Sequence, residues 1–441
     1  NDRLEFVSPG GSRLWAGFSG PLRFFDVTDP QAAARLDAGQ GGVFNETAGR
    51  RYWAIGPQGY RKPSRLALPA ALDLRAAGSG ADYVAIGPAD LLEPLQPLLD
   101  WRSQRGLKTK AIPLEAVYDQ FNYGMPEPEA IRTFLKAAAK SWQPAPHYVL
   151  LVGDATYDPR GYLSSPDANR LPTFLVSTIF GGETASDLGY AVLEGDAWPA
   201  AEDAPVPKPA LAVGRMPARD PKQVADVVEK TLAYEKAAVD PVAGQAAWRK
   251  RVLAIADGQD PSFRLDAQAF LDSFQGQYQT DLYSPQAGAS DANAQIRDRL
   301  GRGDLLVAYF GHGSINMWGK DRLFSNDDVK LLADSDNLPV IINMTCLVGL
   351  FTHPKVDSLA ETLLWQPGGG AVAVLAATSL TLPNDQSFLS KPLAENLLGD
   401  SPISLGDLLL RARQQVPADS PGTRDVLQTF LLFGDPALTL K

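Results

Sequence analysis

The chain has very little sulfur: its 441 residues include one cysteine, Cys346, and four methionines. One cysteine cannot form a disulfide within the chain, and it cannot supply the two or more thiolates of the common zinc sites. Cys346 is therefore either a core residue or a reactive thiol. Because a lone buried cysteine is more often a small core residue, only its position in the sequence can favour a chemical role.

Long apolar runs and an excess of positive charge are also missing. No segment approaches the run of about 20 apolar residues that spans a bilayer as a helix. The formal net charge of -10 at pH 7 argues against nucleic acid or an anionic membrane as the main partner. The chain also lacks an initial methionine and begins Asn1-Asp2-Arg3, which we interpret as a processed product whose leader has been removed.

The composition that remains is typical of a globular protein with several folding units. Hydrophobic residues make up 45% and charged residues 21% of the sequence, which is enough to build a core. The length of 441 residues predicts two or three units. Residues 1-75 are rich in glycine, arginine and aromatics and carry short strand-like pieces, so we expect a small β-rich segment there.

From residue 76 onward, strand-like and helix-like segments alternate, which predicts α/β architecture with mainly parallel sheets. We expect one α/β subdomain over 76-238 and a second, catalytic one over 245-441, separated by the Pro/Gly/Ala linker 240-244. Residues 154-209 are rich in Pro, Asp and Gly, and we expect an irregular excursion there. The predicted strands of the two subdomains are 82-87, 108-112, 147-153, 210-213, 251-257, 281-283, 304-310, 339-345, 371-377 and 430-433.

Two of these predicted strands end at residues that together could carry out catalysis. Cys346 directly follows the strand 339-345, and His312 follows the strand 304-310 after one glycine. Because ligands of open α/β sheets bind at the carboxyl ends of strands, we expect the thiol and the imidazole to lie side by side there. The glycines on either side of His312 would let the backbone approach a ligand closely.

These residue types suit the chemistry of a cysteine hydrolase. A thiolate attacks a carbonyl group well, and an imidazole can donate a proton to a leaving amine near neutral pH. The backbone N–H groups of Gly313 and Cys346 could stabilise the oxyanion, at roughly 3 kcal/mol for each donor.

The chain resembles the catalytic region of the gingipain family, which belongs to the caspase-like clan of cysteine peptidases. The resemblance covers about residues 83-441. The segments that carry it are Gly311-His-Gly-Ser314 with Trp318-Gly319, Cys346-Leu-Val-Gly349, Tyr148-Val-Leu-Leu-Val-Gly-Asp154, Gly214-Arg215 and Phe433-Gly-Asp-Pro436.

The resemblance implies a caspase-hemoglobinase-like fold of two α/β subdomains, in which His312 and Cys346 form the catalytic dyad. It also implies a secreted or cell-surface endopeptidase that acts on a polypeptide through a thioester. Asp257, at the end of a predicted strand, matches the acidic residue that assists the histidine, although the family has Glu there. Asp260 lies near the position of the acidic residue that binds a basic P1 side chain, and Ser262 matches that position equally well, so specificity for Arg or Lys is not implied.

Other candidates are less specific. Trp318 could form a wall of the substrate pocket or fill the core. Acidic clusters within 154-158, 187-203 and 327-336 lack EF-hand spacing, but the resemblance implies that calcium is possible as a structural ion. No cofactor is expected to be required. The remaining histidines, His147 and His353, are expected to be structural or solvated.

Three functions are compatible with the sequence. The first is an endopeptidase, which should lose its activity when Cys346 is alkylated. The second keeps the thioester but transfers the acyl group to an amine, as some gingipain relatives at the cell surface do in a sortase-like reaction. The third is a non-catalytic binding domain of the same fold, whose thiol would react no faster than free cysteine.

Overall fold

The chain divides into two compact units, Asn1–Pro69 and Ala70–Lys441, and each is described by itself. The computed structural model describes residues 2-12, 15-37, 43-62, 72-76, 78, 80-163, 169-195, 198-199, 206-239, 247-398 and 402-440. The predicted linker 240-244 lies outside the described residues. Within the described ranges, no helix combines the length and the apolar character that a bilayer crossing requires.

The first unit is β-rich, as its composition predicts. Its strands are β1 (Arg3–Val7), β2 (Gly11–Ser12), β3 (Arg23–Asp26), β4 (Ala34–Leu36), β5 (Asn45–Glu46) and β6 (Arg51–Ile55). Four of them form an antiparallel sheet in the order β1-β6-β3-β4, and β2 pairs with β5. Phe24, Phe44, Tyr52 and Ala54 form its small core, and a short 3-10 turn covers Pro30–Ala32.

The second unit alternates strands and helices. Its strands are β7 (Tyr83–Gly87), β8 (Thr109–Pro113), β9 (Tyr148–Val152), β10 (Phe174–Thr178), β11 (Gly182–Ser186), β12 (Ala212–Met216), β13 (Arg251–Ala256), β14 (Gln279–Tyr283), β15 (Leu306–Phe310), β16 (Gly313–Ser314), β17 (Met317–Trp318), β18 (Phe324–Ser325), β19 (Val340–Met344), β20 (Ala373–Ala377) and β21 (Phe430–Phe433). Its helices are α1 (Ala89–Leu92), α2 (Gln96–Gln104), α3 (Leu114–Phe121), α4 (Pro128–Ser141), α5 (Leu188–Ala191), α6 (Pro221–Val239), α7 (Pro261–Asp272), α8 (Ala292–Gly301), α9 (Asn326–Val329), α10 (Leu359–Trp365), α11 (Pro383–Leu397), α12 (Leu405–Gln415) and α13 (Pro421–Thr429), with 3-10 turns at Glu93–Leu95 and Ala247–Lys250.

In the described residues, ten of these strands form one sheet in the order β14-β13-β15-β19-β20-β21-β12-β9-β7-β8. Every neighbouring pair is parallel except β20 with β21. The predicted α/β class with mainly parallel strands is confirmed. Strand β21 runs antiparallel to β20 and parallel to β12. The other strands of the second predicted subdomain therefore run opposite to those of the first within this one sheet. The division of the second unit near residues 238-245 stays a prediction.

The sheet is covered on both faces. Along β13, Val252, Ala254 and Ala256 belong to one buried cluster, while Leu253 and Ile255 belong to another. Successive side chains of a strand point to opposite faces, so the two clusters lie on the two sides of the sheet. This double burial explains why the strands are apolar throughout rather than alternating.

Some elements of the second unit differ from the prediction. Residues 154-209 are not irregular throughout, because β10 and β11 form an antiparallel hairpin there. The sequence also does not predict α11 and α13, which both begin with a proline. Proline fits the first turn of a helix, where its missing N–H would have had no partner, but Pro392 inside α11 conceals the helical pattern.

His147 and His353, which the sequence favours as structural or solvated, have local partners. The Nε2 atom of His147 lies 2.7 Å from Asp407 Oδ1, and this contact raises the pKa of His147. Nδ1 of His353 accepts hydrogen bonds from the backbone N–H groups of Lys355 and Val356.

Candidate active site

Cys346 and His312 occupy equivalent places at the carboxyl ends of neighbouring strands. β15 and β19 are paired in parallel, and their last paired residues are Phe310 and Met344. His312 lies two residues after Phe310, and Cys346 lies two residues after Met344. Both are partly exposed. Since neighbouring strands lie about 4.8 Å apart, this register brings the two side chains to one edge of the sheet, as the sequence predicts.

The two strand ends approach each other closely at Gly313. A Cβ atom placed on Gly313 would lie 2.5 Å from Oγ1 of Thr345 and 2.6 Å from the carbonyl oxygen of Cys346. Both distances are shorter than van der Waals contact, so only glycine fits without displacement. The segment that follows His312 is therefore packed directly against the backbone of Cys346.

We expect Gly313→Ala to lower kcat/KM for peptide cleavage by at least about tenfold, because a shift of about 1 Å at a reacting group can be costly. The variant should remain folded, since Gly313 is partly exposed. Gly301→Ala is the matched control, because a Cβ there would meet no atom within 4 Å. Equal activity of the two variants would show that the close packing at Gly313 has no catalytic importance.

A strained turn presents the Cys346 side chain. Leu347, the next residue, has a φ angle of 61°, in the left-handed region where non-glycine residues are uncommon. Its N–H donates to the carbonyl of Ser379 at 3.1 Å, and the N–H of Val348 donates to the carbonyl of Cys346 at 2.8 Å. Strain of this kind persists only where the surroundings fix it, and it is common at active sites.

The thiol faces the start of helix α11. Sγ of Cys346 lies 3.4 Å from both the N–H and the carbonyl oxygen of Thr381. Gln386 supports this residue by donating a hydrogen bond to Oγ1 of Thr381 at 2.9 Å. Burial raises the pKa of the Cys346 thiol, while the Thr381 N–H acts in the opposite direction by favouring the thiolate.

The backbone of His312 is held on both sides. Its carbonyl accepts hydrogen bonds from the Tyr309 hydroxyl and from the Gly319 N–H, each at 2.7 Å. Its N–H donates to Oδ2 of Asp257 at 3.3 Å. The ring of Phe263 meets the imidazole edge-on, with 5.2 Å between centroids. These contacts fix the position from which the imidazole extends.

Asp257 lies beside His312 but does not bind its ring. The carboxylate is buried and accepts hydrogen bonds from the backbone N–H groups of Gln259 and His312. Among the residues that the structure describes, no hydrogen bond joins Asp257 to the imidazole. Asp257 is therefore placed to position the His312 backbone, and its predicted assistance to the imidazole stays a prediction.

The predicted oxyanion donors stay predictions as well. Gly313 and Cys346 lie at the strand ends, where a substrate carbonyl would meet the thiol. Within the described part of the chain, the backbone N–H of Cys346 donates no hydrogen bond. This donor is thus free to bind an oxyanion.

The two residues proposed for substrate binding have different surroundings. Trp318 is completely buried, and its ring stacks on Tyr309 at 4.5 Å while its indole N–H donates to Asn343. Trp318 therefore fills the core, and the expectation that it forms a pocket wall is wrong. Asp260 is exposed and caps helix α7 by accepting a hydrogen bond from the N–H of Ser262, so Asp260 and Ser262 are direct neighbours.

A cavity of about 310 Å³ lies between helices α7 and α11, next to the ends of β15 and β19. Phe310 and Met344, the last paired residues of β15 and β19, form part of its wall, as do Phe263 and Phe270 from α7. The acidic residue that lines it is Asp266 rather than Asp260. Burial raises the pKa of the Asp266 carboxyl, and the nearby charge of Asp260 raises it further. The sequence does not single out Asp266, because it looks like an ordinary surface residue of a helix.

The carboxylates considered for calcium mostly face other groups. Asp154 forms an ion pair with Arg219, Asp187 with Arg215, and Asp328 with Arg297. In the described ranges, no group of three or more His, Cys, Asp or Glu side chains is arranged to hold a metal. A structural calcium ion stays an expectation from the resemblance.

Comparison with known proteins identifies relatives of the chain. The family model described as "Peptidase family C25" matches residues 76–441. Gingipain R2 of Porphyromonas gingivalis (strain ATCC BAA-308 / W83) is 24% identical over 377 residues, which cover 81% of this chain and 46% of that protein. The chain thus spans about half the length of this curated relative.

Solved structures share the fold of the chain. The complex of Porphyromonas gingivalis RgpB pro- and mature domains has a TM-score of 0.66 at 22% identity, covering 81% of this chain and 79% of that chain. Dimeric latent PorU from Porphyromonas gingivalis has a TM-score of 0.53 at 15% identity, covering 99% of this chain and 37% of that chain. At these identities the likeness concerns the fold alone, and it confirms the fold that the gingipain resemblance implies.

Proposed function

The chain belongs to peptidase family C25, and from this membership and the geometry of the site we propose that it is a cysteine endopeptidase with Cys346 as nucleophile and His312 as general acid and base. One observation carries the proposal. His312 and Cys346 both lie two residues beyond the last pair of neighbouring parallel strands. If Cys346 were only a core residue, there would be no reason for this shared register, for a partly exposed thiol, or for the glycines on both sides of His312.

The reaction has two steps. The Cys346 thiol gives its proton to His312, and its sulfur attacks the carbonyl carbon of the scissile bond. A thioester replaces the C–N bond as His312 passes that proton to the departing amine. His312 then takes a proton from a water molecule that attacks the thioester, and the proton returns to the thiolate as the acid is released. The N–H groups of Cys346 and Gly313 bind the oxyanion in both steps.

The cavity between α7 and α11 accepts the side chain on the acyl side of the scissile bond. Its aromatic and methionine walls suit the apolar stem of a long side chain, and the carboxylate of Asp266 suits a polar or basic end. Since Asp260 is engaged as a helix cap, Asp266 is the acidic group better placed to act on a side chain inside this cavity.

Labelling of the thiol tests the proposal directly. Because Cys346 is the only cysteine, a single carboxamidomethyl group from iodoacetamide reports on this residue alone. Cleavage of a fluorogenic peptide library should fall in proportion to the labelled fraction. The labelling rate should keep rising at pH values above the ordinary thiol pKa, because burial raises the pKa of Cys346 and the thiolate is the reactive form.

Complete labelling with undiminished cleavage would contradict the proposal. A thiol that reacts no faster than free cysteine, combined with no cleavage of any library member, would instead favour the non-catalytic binding domain. Addition of an amine such as hydroxylamine separates hydrolysis from acyl transfer, because only a transferase gives substantial amide or hydroxamate product over acid. Secretion or a cell-surface location, and a polypeptide as substrate, are further parts of the proposal that follow from the family.

A further inference from the structure

We propose that an apolar rim, formed by Ile179 and Phe180 on one side and Leu382 and Phe388 on the other, binds an apolar residue of the substrate a few positions from the scissile bond. This inference rests on the proposed peptidase function. All four side chains are about half exposed, from 46% for Phe388 to 53% for Phe180. Clusters of large exposed apolar side chains are uncommon away from binding surfaces.

Ile179 and Phe180 lie at the tip of the β10–β11 hairpin, which is firmly attached to the end of strand β20. The Thr184 hydroxyl donates to the carbonyl of Thr378 at 2.6 Å, and the Thr378 hydroxyl donates to the carbonyl of Ala185 at 2.7 Å. The Ile179 N–H donates to Asp425 at 2.9 Å. The backbone of the hairpin tip is therefore fixed, and it holds the two apolar side chains exposed to solvent. They form a preorganised surface and not part of a flexible loop.

The hairpin tip is also close to the nucleophile. Hydroxyl oxygens of Thr178 and Ser379 lie 2.8 Å apart, and Gly181 packs so closely on Ser379 that a Cβ atom would overlap it. The carbonyl of Ser379 in turn accepts the N–H of Leu347 at 3.1 Å, the residue after Cys346. Ser379 therefore contacts both the hairpin tip and the residue that follows the nucleophile.

The other side of the rim belongs to helix α11. Leu382 follows Thr381, whose N–H lies 3.4 Å from Sγ of Cys346, and Phe388 lies on the second turn of the helix. Pro383, next to Leu382, lines the cavity between α7 and α11. A peptide with one side chain in the cavity would therefore pass Thr381 and reach the rim with its neighbouring residues.

Helix α13 connects the two sides. Its first turn touches α11, because a Cβ atom on Gly422 would overlap the carboxylate of Asp385. Asp425 on the same helix binds the hairpin through Ile179, and the charges of Asp385 and Asp425 are close enough to interact. An acidic substrate residue would be repelled here, so the rim fits an uncharged apolar residue.

The test compares the wild type with Ile179→Ser/Phe180→Ser on positional peptide libraries that vary four residues on each side of the scissile bond. We expect wild type to favour apolar over serine residues at one or more flanking positions by about ten- to a hundredfold in kcat/KM. The double variant should lose most of this preference through KM rather than kcat. Its preference for the residue in the cavity and its hydrolysis of a single-residue thioester should not change.

Two further variants complete the test. Phe388→Ser alters the side of the rim on helix α11 and should weaken the same preference. An effect seen in both variants cannot result from local unfolding of the hairpin. Leu331→Ser is the matched control, because Leu331 is 68% exposed and belongs to neither side of the rim. An unchanged flanking preference in both rim variants, with cleavage intact, would overturn the inference and leave the proposed function standing. Absence of cleavage and of accelerated thiol labelling in wild type would overturn both.

Discussion

Replacement of Cys346 by alanine should lower kcat for peptide cleavage by about 10⁴- to 10⁶-fold, the range seen when the nucleophile of a covalent peptidase is removed. No other thiol exists in the chain to replace it. His312→Ala should cause a loss of similar order, because the amine then leaves without a proton donor.

The two residues should also behave as one unit. If the thiol and the imidazole act on the same bond, the double variant Cys346→Ala/His312→Ala should be no slower than the slower single variant. Additive losses would indicate that His312 acts elsewhere, for example on folding. Steady-state kinetics on one fluorogenic peptide measures all three variants and the wild type. Titration with a tight-binding inhibitor gives the active concentration of the wild type.

His353→Ala is the matched control for the histidine. Its ring contacts Tyr157 at 5.7 Å between centroids, and its Nδ1 accepts two backbone N–H groups. We expect it to change kcat less than about threefold, with stability changed by about 1 kcal/mol at most.

Near wild-type cleavage by Cys346→Ala, with the substitution confirmed by mass spectrometry, would remove Cys346 as the nucleophile.

The strands, and the positions of Cys346 and His312 at the ends of neighbouring strands, could be predicted from the sequence because both depend on local pattern. Continuous apolar runs such as 339-345 predict buried strands, and the residue after each run must lie at the edge of the sheet. This is why the sequence predicts that Cys346 and His312 lie at the same edge of the sheet. Asp257 was implied by the family resemblance rather than by the strand pattern, and its carboxylate accepts the His312 N–H at 3.3 Å.

The remaining parts of the site depend on tertiary packing that no local pattern encodes. Trp318 follows the His312 segment closely in sequence, but the pairing of β17 turns its ring into the core against Tyr309. Asp266 lines the cavity because helix α7 packs against β13 and β15. The antiparallel pairing of β20 with β21, and the pairing of β21 with β12 that joins the two halves in one sheet, likewise arise from chain crossings rather than from composition.

Arg215→Met should destabilise the second unit by about 3-5 kcal/mol, the usual result when one partner of a buried ion pair is removed. Arg215 is completely buried. It donates two hydrogen bonds to Asp187, at 2.6 and 2.8 Å, and three to the carbonyls of Gly153, Leu171 and Pro172. Without the guanidinium, the Asp187 carboxylate and these carbonyls would stay buried with few donors.

Removal of both charges should cost less than removal of one. In Arg215→Met/Asp187→Leu no uncompensated carboxylate remains, so the double variant should be more stable than Arg215→Met by about 1-3 kcal/mol. Arg302→Ala is the exposed control, since its pair with Asp298 has both side chains more than half exposed, and we expect a change below about 1 kcal/mol. Urea unfolding followed by tryptophan fluorescence gives the free energies of unfolding. If Arg215→Met unfolded at the same urea concentration as Arg302→Ala, burial of this charge pair would not contribute to the stability of the sheet that carries the dyad.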